Sequence, residues 1–506
     1  MKKATKVLTI ILSIVSAAIF LFGCGVADGS LKGGDYYGYA PDAIAKAGTP
    51  EGGTEGNDQQ YTSGTMTAGA HDDNLYYDLY KELFYRGQTD EENGKFARFS
   101  GENNYLLDSS GRIKVTVKNE NEPVCNAPVV FTGTDGFKYY AQTDSNGACY
   151  VFGNTNGGKI TAVCGDYENT IDVTSGDDNA EVLLSGNREK GEVVEIMLVV
   201  DVTGSMGDEL NYLKAELSDV VNKISNDLKG VTVRLAMLFY RDNGDTEKLS
   251  FSDFSDVTIK ANLEKQQEKI NRQRADGGGD YEEAVDEALE LAVSKQWSEN
   301  STKIVFHFLD APIHKGTVYE KRFSDAVTVA SKKGIRICPV LASGADIVTE
   351  YIERQAAILT GGTFAFITDH SGVGGSHYDP EIPNVVIEKL NALLIRLVKG
   401  YYTGTFEKPV SYDGKEYRFI DCAEVESGFI RYGAKSGYAK DDEVVIVTRF
   451  IDGKVKLLID GEFCCYGEKF VDDDYGFDES LKFTFKMPDK DVKITFETEV
   501  FSDVID

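Results

Sequence analysis

The chain has 506 residues and a formal net charge of −30 at pH 7. One hydrophobic core rarely serves more than about 300 residues, so this length predicts several folded units. The negative charge argues against nucleic acid or an anionic lipid surface as a partner, because both would repel the chain, and it favours cations and basic surfaces.

Residues 1–24 are typical of an export signal. The basic start Met1-Lys-Lys is followed by the apolar run 7–22, which is the order of segments in a secretory signal. Leu21-Phe-Gly-Cys24 resembles the cleavage box of bacterial lipoproteins, and the resemblance implies that a lipid on Cys24 anchors the chain to the extracellular face of a bacterial cell membrane. The alternative is an uncleaved anchor helix, although a membrane span needs about 20 apolar residues. In either case the rest of the chain lies outside the membrane.

Two connecting segments follow. Residues 25–70 are rich in glycine, which predicts a flexible tether. Residues 71–110 are predicted to be a partly helical connecting segment, because apolar side chains recur at helical spacing between Asp72 and Arg86. We expect that apolar face to dock on a neighbouring unit.

Residues 111–186 predict a small β-sandwich. Ile113–Val117 alternates β-branched and polar side chains, and turn residues follow at Asp135-Gly and Asp144–Gly147. Pro128–Phe131 and Gln142–Ala148 resemble the carboxypeptidase regulatory-like domains of surface proteins. The resemblance implies a spacer or a binding module, and the residues include no catalytic set.

Residues 193–400 alternate between apolar strands and helices. The predicted strands are Val193–Val202, Val231–Tyr240, Lys303–Leu309, Ile335–Leu341 and Thr363–Ile367. The predicted helices are Glu209–Leu228, Lys260–Arg274, Tyr281–Gln296, Phe323–Lys333, Ile347–Leu359 and Val385–Val398. Nearly continuous apolar runs are typical of strands that are covered on both faces. The alternation therefore predicts an α/β domain with a doubly wound parallel sheet, in which ligands bind at the carboxyl ends of the strands.

Side chains with oxygen atoms that can bind a metal ion lie at those carboxyl ends. The first strand runs into Asp201-Val-Thr203-Gly-Ser205, so one carboxylate and two hydroxyls offer three hard oxygens to a hard divalent cation. Asp310 follows the strand 303–309, and Asp280 ends the Gly277-Gly-Gly loop. Because these loops meet at one edge of the sheet, the sequence predicts a metal site formed by Asp201, Thr203, Ser205, Asp280 and Asp310.

These motifs resemble the metal-ion-dependent adhesion site of von Willebrand factor A domains, in which Asp-x-Ser-x-Ser is completed by a Thr and an Asp from two further loops. Asp201-Val-Thr-Gly-Ser-Met, Tyr240-Arg-Asp242, Gly277-Gly-Gly-Asp280 and Asp310-Ala-Pro match, in order, the A domains attached to some alpha-kinases. The resemblance implies Mg²⁺ as the cation, with Mn²⁺ or Ca²⁺ as alternatives. It also implies an unidentified protein ligand whose acidic side chain completes the coordination shell.

This chain departs from the family pattern at two positions. Thr203 replaces the usual first Ser and keeps its hydroxyl. Asp280 stands where the family has Thr, and it would bind the cation either directly or through water. Its added negative charge would strengthen cation binding and weaken the attraction of the site for an acidic partner.

Two other kinds of site fit the sequence less well. A nucleotide-binding phosphate loop is excluded at Gly277-Gly-Gly, because no Gly-Lys-Ser/Thr follows the glycines. His307, Asp310 and His314 suggest a zinc site, but His307 and Asp310 would point to opposite faces of a strand. Neither the zinc-protease motif His-Glu-x-x-His nor the nucleophile turn Gly-x-Ser-x-Gly occurs in the sequence.

Residues 401–506 are predicted to be a β-rich C-terminal domain. The segment Phe483–Phe496 resembles the closing strand of β-repeat modules in Gram-positive surface proteins. Eight cysteines leave seven after lipidation of Cys24, so at least one has no partner within the chain. Cys125, Cys149 and Cys164 share the β-sandwich and are candidates for one disulfide, whose pairing the sequence does not assign.

The whole sequence predicts an exported multidomain protein, in which a central doubly wound α/β domain is flanked by all-β domains. The predicted function is non-enzymatic adhesion at the cell surface through a cation that bridges the α/β domain and an acidic group of a partner. One alternative is a structural or sensing module whose cation only stabilises the fold, with binding on the β-domains. The other is a metal-dependent hydrolase, which would need a second metal cluster.

Overall fold

The structure is a computed structural model, and it describes residues 64–86, 93–369, 380, 382, 385–422, 425, 429–433, 437–451, 453–472 and 477–499. The predicted signal 1–24, including Cys24, and the tether up to residue 63 lie outside these described residues. Within the part of the chain that is described, no helix is both long enough and apolar enough to span a membrane.

The segment before the β-sandwich contains β1 (Thr67–His71) and α1 (Tyr77–Glu82). The aromatic face predicted between Asp72 and Arg86 docks on a neighbouring helix. Tyr80 is buried, and Phe84 and Phe96 both make edge-on ring contacts with Tyr351, at centroid distances of 6.1 and 5.4 Å.

Residues 113–183 form two four-stranded sheets around a shared core. The strands are β2 (Ile113–Asn119), β3 (Glu122–Pro123), β4 (Pro128–Gly133), β5 (Lys138–Gln142), β6 (Ala148–Val151), β7 (Gly158–Cys164), β8 (Tyr167–Val173) and β9 (Asn179–Leu183). One sheet has the order β3-β2-β6, with β9 paired to β2, and the other has the order β5-β4-β7-β8. The structure contains no disulfide among the three candidate cysteines of this domain. All three are buried free thiols: Cys125, Cys149 and Cys164.

The centre of the protein is an eight-stranded sheet in the order β12-β11-β10-β13-β14-β15-β1-β16. Its remaining strands are β10 (Val193–Asp201), β11 (Thr232–Tyr240), β12 (Leu249–Asp256), β13 (Thr302–Leu309), β14 (Ile335–Leu341), β15 (Phe364–Thr368) and β16 (Glu388–Lys389). Its helices are α2 (Gly207–Asp227), α3 (Lys260–Asn271), α4 (Val285–Ser294), α5 (Thr317–Lys333), α6 (Ile347–Thr360) and α7 (Leu390–Thr403).

Strand β10 shows why this sheet needs helices on both faces. Alternate side chains of a strand point to opposite faces, and here Ile196 and Leu198 enter one hydrophobic core while Met197 and Val199 enter another. The first core receives α2, α3 and α7, and the second receives α4, α5 and α6. The predicted doubly wound α/β domain with flanking β-domains is therefore confirmed. The sheet is mixed rather than wholly parallel, because β12 pairs antiparallel with β11 at one edge and β1 pairs antiparallel with β15 and β16 at the other.

Strand β1 was not predicted, because it lies across the end of the glycine-rich tether. It pairs antiparallel with β15 and β16 at the edge of the central sheet. Ala68 is buried there, and the Thr67 hydroxyl lies 2.8 Å from that of Thr368. A Cβ on Gly69 would lie 2.8 Å from Cγ1 of Val385 and closer still to the Phe366 ring. Glycine is thus required for packing in this strand, where composition alone suggests a flexible chain.

The C-terminal residues 417–499 form two more sheets. The strands are β17 (Tyr417–Asp421), β18 (Ile430–Tyr432), β19 (Gly437–Ala439), β20 (Glu443–Arg449), β21 (Lys454–Ile459), β22 (Glu462–Tyr466), β23 (Glu468–Asp472), β24 (Phe477–Lys486) and β25 (Val492–Glu499). The sheet orders are β19-β17-β25-β21-β22 and β18-β20-β24-β23. Ile446, Leu457 and Phe483 meet in a core that both sheets share.

We expect Gly69→Val to destabilise the central domain, since overpacking typically costs about 1–3 kcal/mol. Trp297 is the single tryptophan of the chain, and it packs edge-on against Phe254 at 4.7 Å, so its fluorescence reports on this domain alone. Urea unfolding followed at Trp297 should show a lower midpoint in the variant. Gly207→Ala is the matched control, because its added Cβ would have only an ordinary contact at 3.8 Å. An unchanged midpoint for Gly69→Val would mean that β1 does not stabilise the sheet.

Candidate metal centre

Asp201 is the last residue of β10, a central strand between β11 and β13, and its side chain is completely buried. Its Oδ1 accepts hydrogen bonds from the backbone N–H and the hydroxyl of Thr203, both at 2.8 Å. Its Oδ2 is buried and has no hydrogen-bond partner among the described residues. Such an oxygen is costly to bury unless a proton or a cation accompanies it. The Thr203 hydroxyl donates its hydrogen bond to Asp201, so the lone pairs of the Thr203 oxygen are free to bind a cation.

Asp310 brings a second carboxylate to the same edge of the sheet. It follows β13, the neighbour of β10, and is 4% exposed. Burial raises the pKa of Asp310, the nearby Glu209 raises it further, and a hydrogen bond with the Ser205 side chain lowers it. Burial, followed by repulsion from Asp310, raises the pKa of Asp201. The two carboxyls therefore repel each other in a dry environment, which a divalent cation would relieve.

Ser205 lies at the exposed rim of this site. It belongs to the single turn Gly204–Met206 that leads into α2, and both Gly204 and Ser205 are exposed. Thr203 donates a hydrogen bond to Asp201, burial and the charge of Asp310 raise the pKa of Asp201, and the Ser205 side chain is close enough to Asp310 to lower its pKa. Four of the five predicted ligands therefore lie at one edge of the sheet.

A carboxylate that was not predicted, Glu283, faces the site from the second loop. Its Oε1 lies 3.1 Å from the position that a Cβ would take on Gly278, and that position is 3.4 Å from Cβ of Thr203. Its Oε2 is buried and has no hydrogen-bond partner among the described residues. Burial and then the charge of Asp201 raise the pKa of Glu283 to about 9, so this carboxyl holds a proton at neutral pH when no cation is bound.

Sequence reasoning missed Glu283 because it placed residues 281–296 in a helix. In the structure α4 begins only at Val285, and Glu283 still belongs to the loop, where its N–H donates to the Pro312 carbonyl at 3.0 Å. This contact turns the Glu283 side chain inward. The one available signal was the acidic pair Glu282-Glu283 directly after the glycine loop.

Asp280, the fifth predicted ligand, is exposed and lies in a different group of side chains. One ligand atom each of Asp242, Asp280 and His314 falls within 4.8 Å of the others. A direct role of Asp280 beside Asp201 therefore stays a prediction. His307 is buried elsewhere, with its ring nitrogens 3.1 Å from the Tyr240 hydroxyl and 3.1 Å from a Glu353 carboxylate oxygen. The zinc set of His307, Asp310 and His314 is not assembled among the described residues.

Arg241 holds the second loop in place. Its guanidinium donates to the carbonyl oxygens of Arg274 and Asp276 at 2.8 and 3.0 Å, and Asp245 Oδ2 accepts the N–H of Gly278 at 2.9 Å. Gly278 has φ of +80°, a conformation that strongly favours glycine. The Tyr240-Arg-Asp242 motif thus acts by shaping the loop that carries Glu283.

Comparison with known proteins identifies the central domain. Residues 195–366 match the sequence model of the von Willebrand factor A domain family, so the chain contains such a domain, as its motifs had predicted. An alpha-protein kinase of Dictyostelium discoideum is 27% identical over 159 residues, which are 31% of this chain and 24% of the kinase. A putative ariadne-like RING finger protein of Acanthamoeba polyphaga mimivirus is 32% identical over 170 residues, which are 32% of this chain and 16% of that protein. The chain therefore spans a quarter or less of these relatives.

Two solved structures of the pilus adhesin SpaC from Lactobacillus rhamnosus GG also resemble the chain. Each is 10% identical to it. The TM-scores are 0.31, with 66% of this chain and 42% of the adhesin covered, and 0.30 for an open conformation, with 77% and 44% covered.

We expect a divalent cation to stabilise the domain more at pH 8 than at pH 5.5. The pKa values of Asp201, Asp310 and Glu283 are higher in the folded chain than in the unfolded chain, so the folded state binds more protons. Without a cation, these groups lower the stability as the pH rises from the ordinary carboxyl range towards about 9. A bound cation removes that loss, so its stabilising effect grows with pH.

Thermal unfolding followed at Trp297, with and without Mg²⁺, measures this effect. At about 100 times Kd, Mg²⁺ should raise the midpoint at pH 8 by roughly 5–10 °C. Asp201→Asn should abolish the rise. Asp325→Asn, which changes an exposed carboxylate paired with Lys321 on α5, should retain it. A rise that is equal at both pH values, or that persists in Asp201→Asn, contradicts the prediction.

Proposed function

We propose that this chain is a non-enzymatic adhesion protein that recognises a protein partner through a divalent cation in its von Willebrand factor A domain. Asp201, Thr203, Ser205 and Asp310 would hold the cation, and an acidic side chain of the partner would complete its coordination shell. The observation that carries the proposal is the buried Asp201 Oδ2, which lacks a hydrogen-bond partner among the described residues. The donors are carboxylates and hydroxyls, a set that favours Mg²⁺, with Mn²⁺ or Ca²⁺ as alternatives.

The charge of the site supports the capture of an acidic group. Asp201 and Asp310 balance the two charges of the cation, and Thr203 and Ser205 would add neutral hydroxyl ligands. The cation then retains an attraction for a further carboxylate. Ser205 and Gly204 are exposed at the rim, which lets a partner approach from solvent.

The proposal places this domain outside the cell. Cys24, which lies outside the described residues, would carry the lipid that anchors the chain to the extracellular face of a bacterial membrane. The A domain, the β-sandwich and the C-terminal β-domain would then all be presented to partners.

We expect Mn²⁺ bound at this site to enhance the relaxation of an added carboxylate. Acetate serves as the probe for an acidic side chain, and acetamide is the neutral control of equal size. With the full chain in excess over Mn²⁺, ¹³C relaxation of the acetate carboxyl should increase several-fold more than that of acetamide, and the difference should vanish in Asp201→Ala. Equal enhancement for both probes in the wild-type chain would show a cation that only stabilises the fold.

If a lipid on Cys24 anchors the chain, Cys24→Ser should change how the chain partitions between detergent and water. Expressed in a bacterial host, the wild-type chain should partition into the detergent phase of Triton X-114, because its lipid is apolar. Cys24→Ser should abolish lipid attachment and shift processed chain to the aqueous phase, whereas the control Cys464→Ser should behave like the wild type. A Cys24→Ser chain that stays fully in the detergent phase at unchanged mass would indicate an uncleaved anchor helix instead.

A further inference from the structure

Three loops at the edge of the central sheet meet in a second group of metal-ligating side chains. Asp242 follows β11, Asp280 ends the glycine loop, and His314 lies in the loop after β13. One ligand atom from each falls within 4.8 Å of the other two, and His314 Nε2 lies 2.6 Å from Asp242 Oδ1. Asp242 is 5% exposed and His314 is half-buried, while Asp280 is exposed. The group therefore has a dry side and a side that solvent can reach.

An ion pair between His314 and Asp242 alone does not account for this arrangement. Asp280 adds a second carboxylate beside the same imidazole, which can carry only one positive charge. Arg241 follows β11 just before Asp242, and its guanidinium hydrogen-bonds to loop carbonyls. Two carboxylates and one imidazole nitrogen thus lie close enough together to share one cation.

A separate observation indicates a missing ligand here. Glu283 is 4% exposed, and its Oε2 has no hydrogen-bond partner among the described residues. After burial, the charges that raise its pKa are those of Asp201, Asp242, Asp310 and Asp245, in that order. The charges of Asp201 and Asp242 therefore both act on this carboxyl. A buried acceptor without a hydrogen-bond partner is poorly satisfied by protein atoms alone.

We propose that Asp242, Asp280 and His314 form a second cation site, which takes Zn²⁺ through one imidazole nitrogen and two carboxylate oxygens. Three protein ligands with a remaining open position are the usual number at an accessible zinc ion, and imidazole and carboxylate are both zinc ligands. Imidazole also separates this site from the one at Asp201, since nitrogen ligands favour Zn²⁺ while all-oxygen sites favour Mg²⁺. Glu283, whose buried Oε2 has no hydrogen-bond partner among the described residues, is a candidate for a further bond. The proposal does not depend on adhesion as the function.

Titrations of the metal-free full chain with Zn²⁺ and with Mg²⁺ test this proposal. His314→Gln and Asp242→Asn should weaken Zn²⁺ binding at least about tenfold, with Mg²⁺ binding retained. Asp201→Ala should abolish Mg²⁺ binding and retain Zn²⁺ binding, so the Mg²⁺ site and the Zn²⁺ site are tested independently of each other. His71→Gln, a histidine on β1 remote from this group in the sheet order, is the control and should leave both titrations unchanged.

Co²⁺ in place of Zn²⁺ shows which atoms bind the metal. The wild-type chain should give d–d bands without a thiolate charge-transfer band, which excludes the cysteines as ligands, and the d–d bands should be lost in His314→Gln. Trp297 fluorescence checks that each variant is folded, and the exposed Asp280→Asn offers a second variant if His314→Gln does not fold. Zn²⁺ binding that is unchanged in His314→Gln and Asp280→Asn, or a thiolate band in the wild type, overturns the proposal.

Discussion

Buried negative charge at the carboxyl edge of the central sheet is the constraint on which the rest of this site depends. Asp201, Asp310 and Glu283 are each at most 4% exposed, and each has a pKa raised first by burial. The nearby arginine, Arg241, hydrogen-bonds to carbonyls of the second loop. Burial and the neighbouring carboxyl Asp310 raise the pKa of Asp201 by more than Arg241 lowers it, so this group of carboxyls favours bound protons or a cation.

This constraint links the two proposed cation sites. The cation of the Asp201 site would attract the acidic group of a partner. A second cation held by His314, Asp242 and Asp280 would offset the surrounding negative charge and strengthen that attraction. Glu283, with its pKa raised to about 9, faces the Asp201 site and would lose its proton more readily when a cation is bound there.

The A domain is also completed by residues outside the segment that matches its family. Strand β1 extends the sheet from the N-terminal side, and Arg354 of α6 is buried in ion pairs with Asp73 and Glu350. Removing one partner of such a buried ion pair lowers the stability of the fold, because it leaves an uncompensated buried charge. Residues 67–73 are thus built into the domain that would bind the partner.

The sequence by itself determined the doubly wound α/β domain and the placement of the candidate ligands Asp201, Thr203, Ser205 and Asp310 at one sheet edge, because continuous apolar strands and the residues at their ends are local features. Only the tertiary structure revealed β1, since composition hides a strand whose glycine is required by packing against Phe366. It also grouped Asp280 with Asp242 and His314, and brought Glu283 inward to the site. Those placements depend on contacts between distant residues, such as the Asp242–His314 contact across 72 positions, and on burial, which no local pattern encodes.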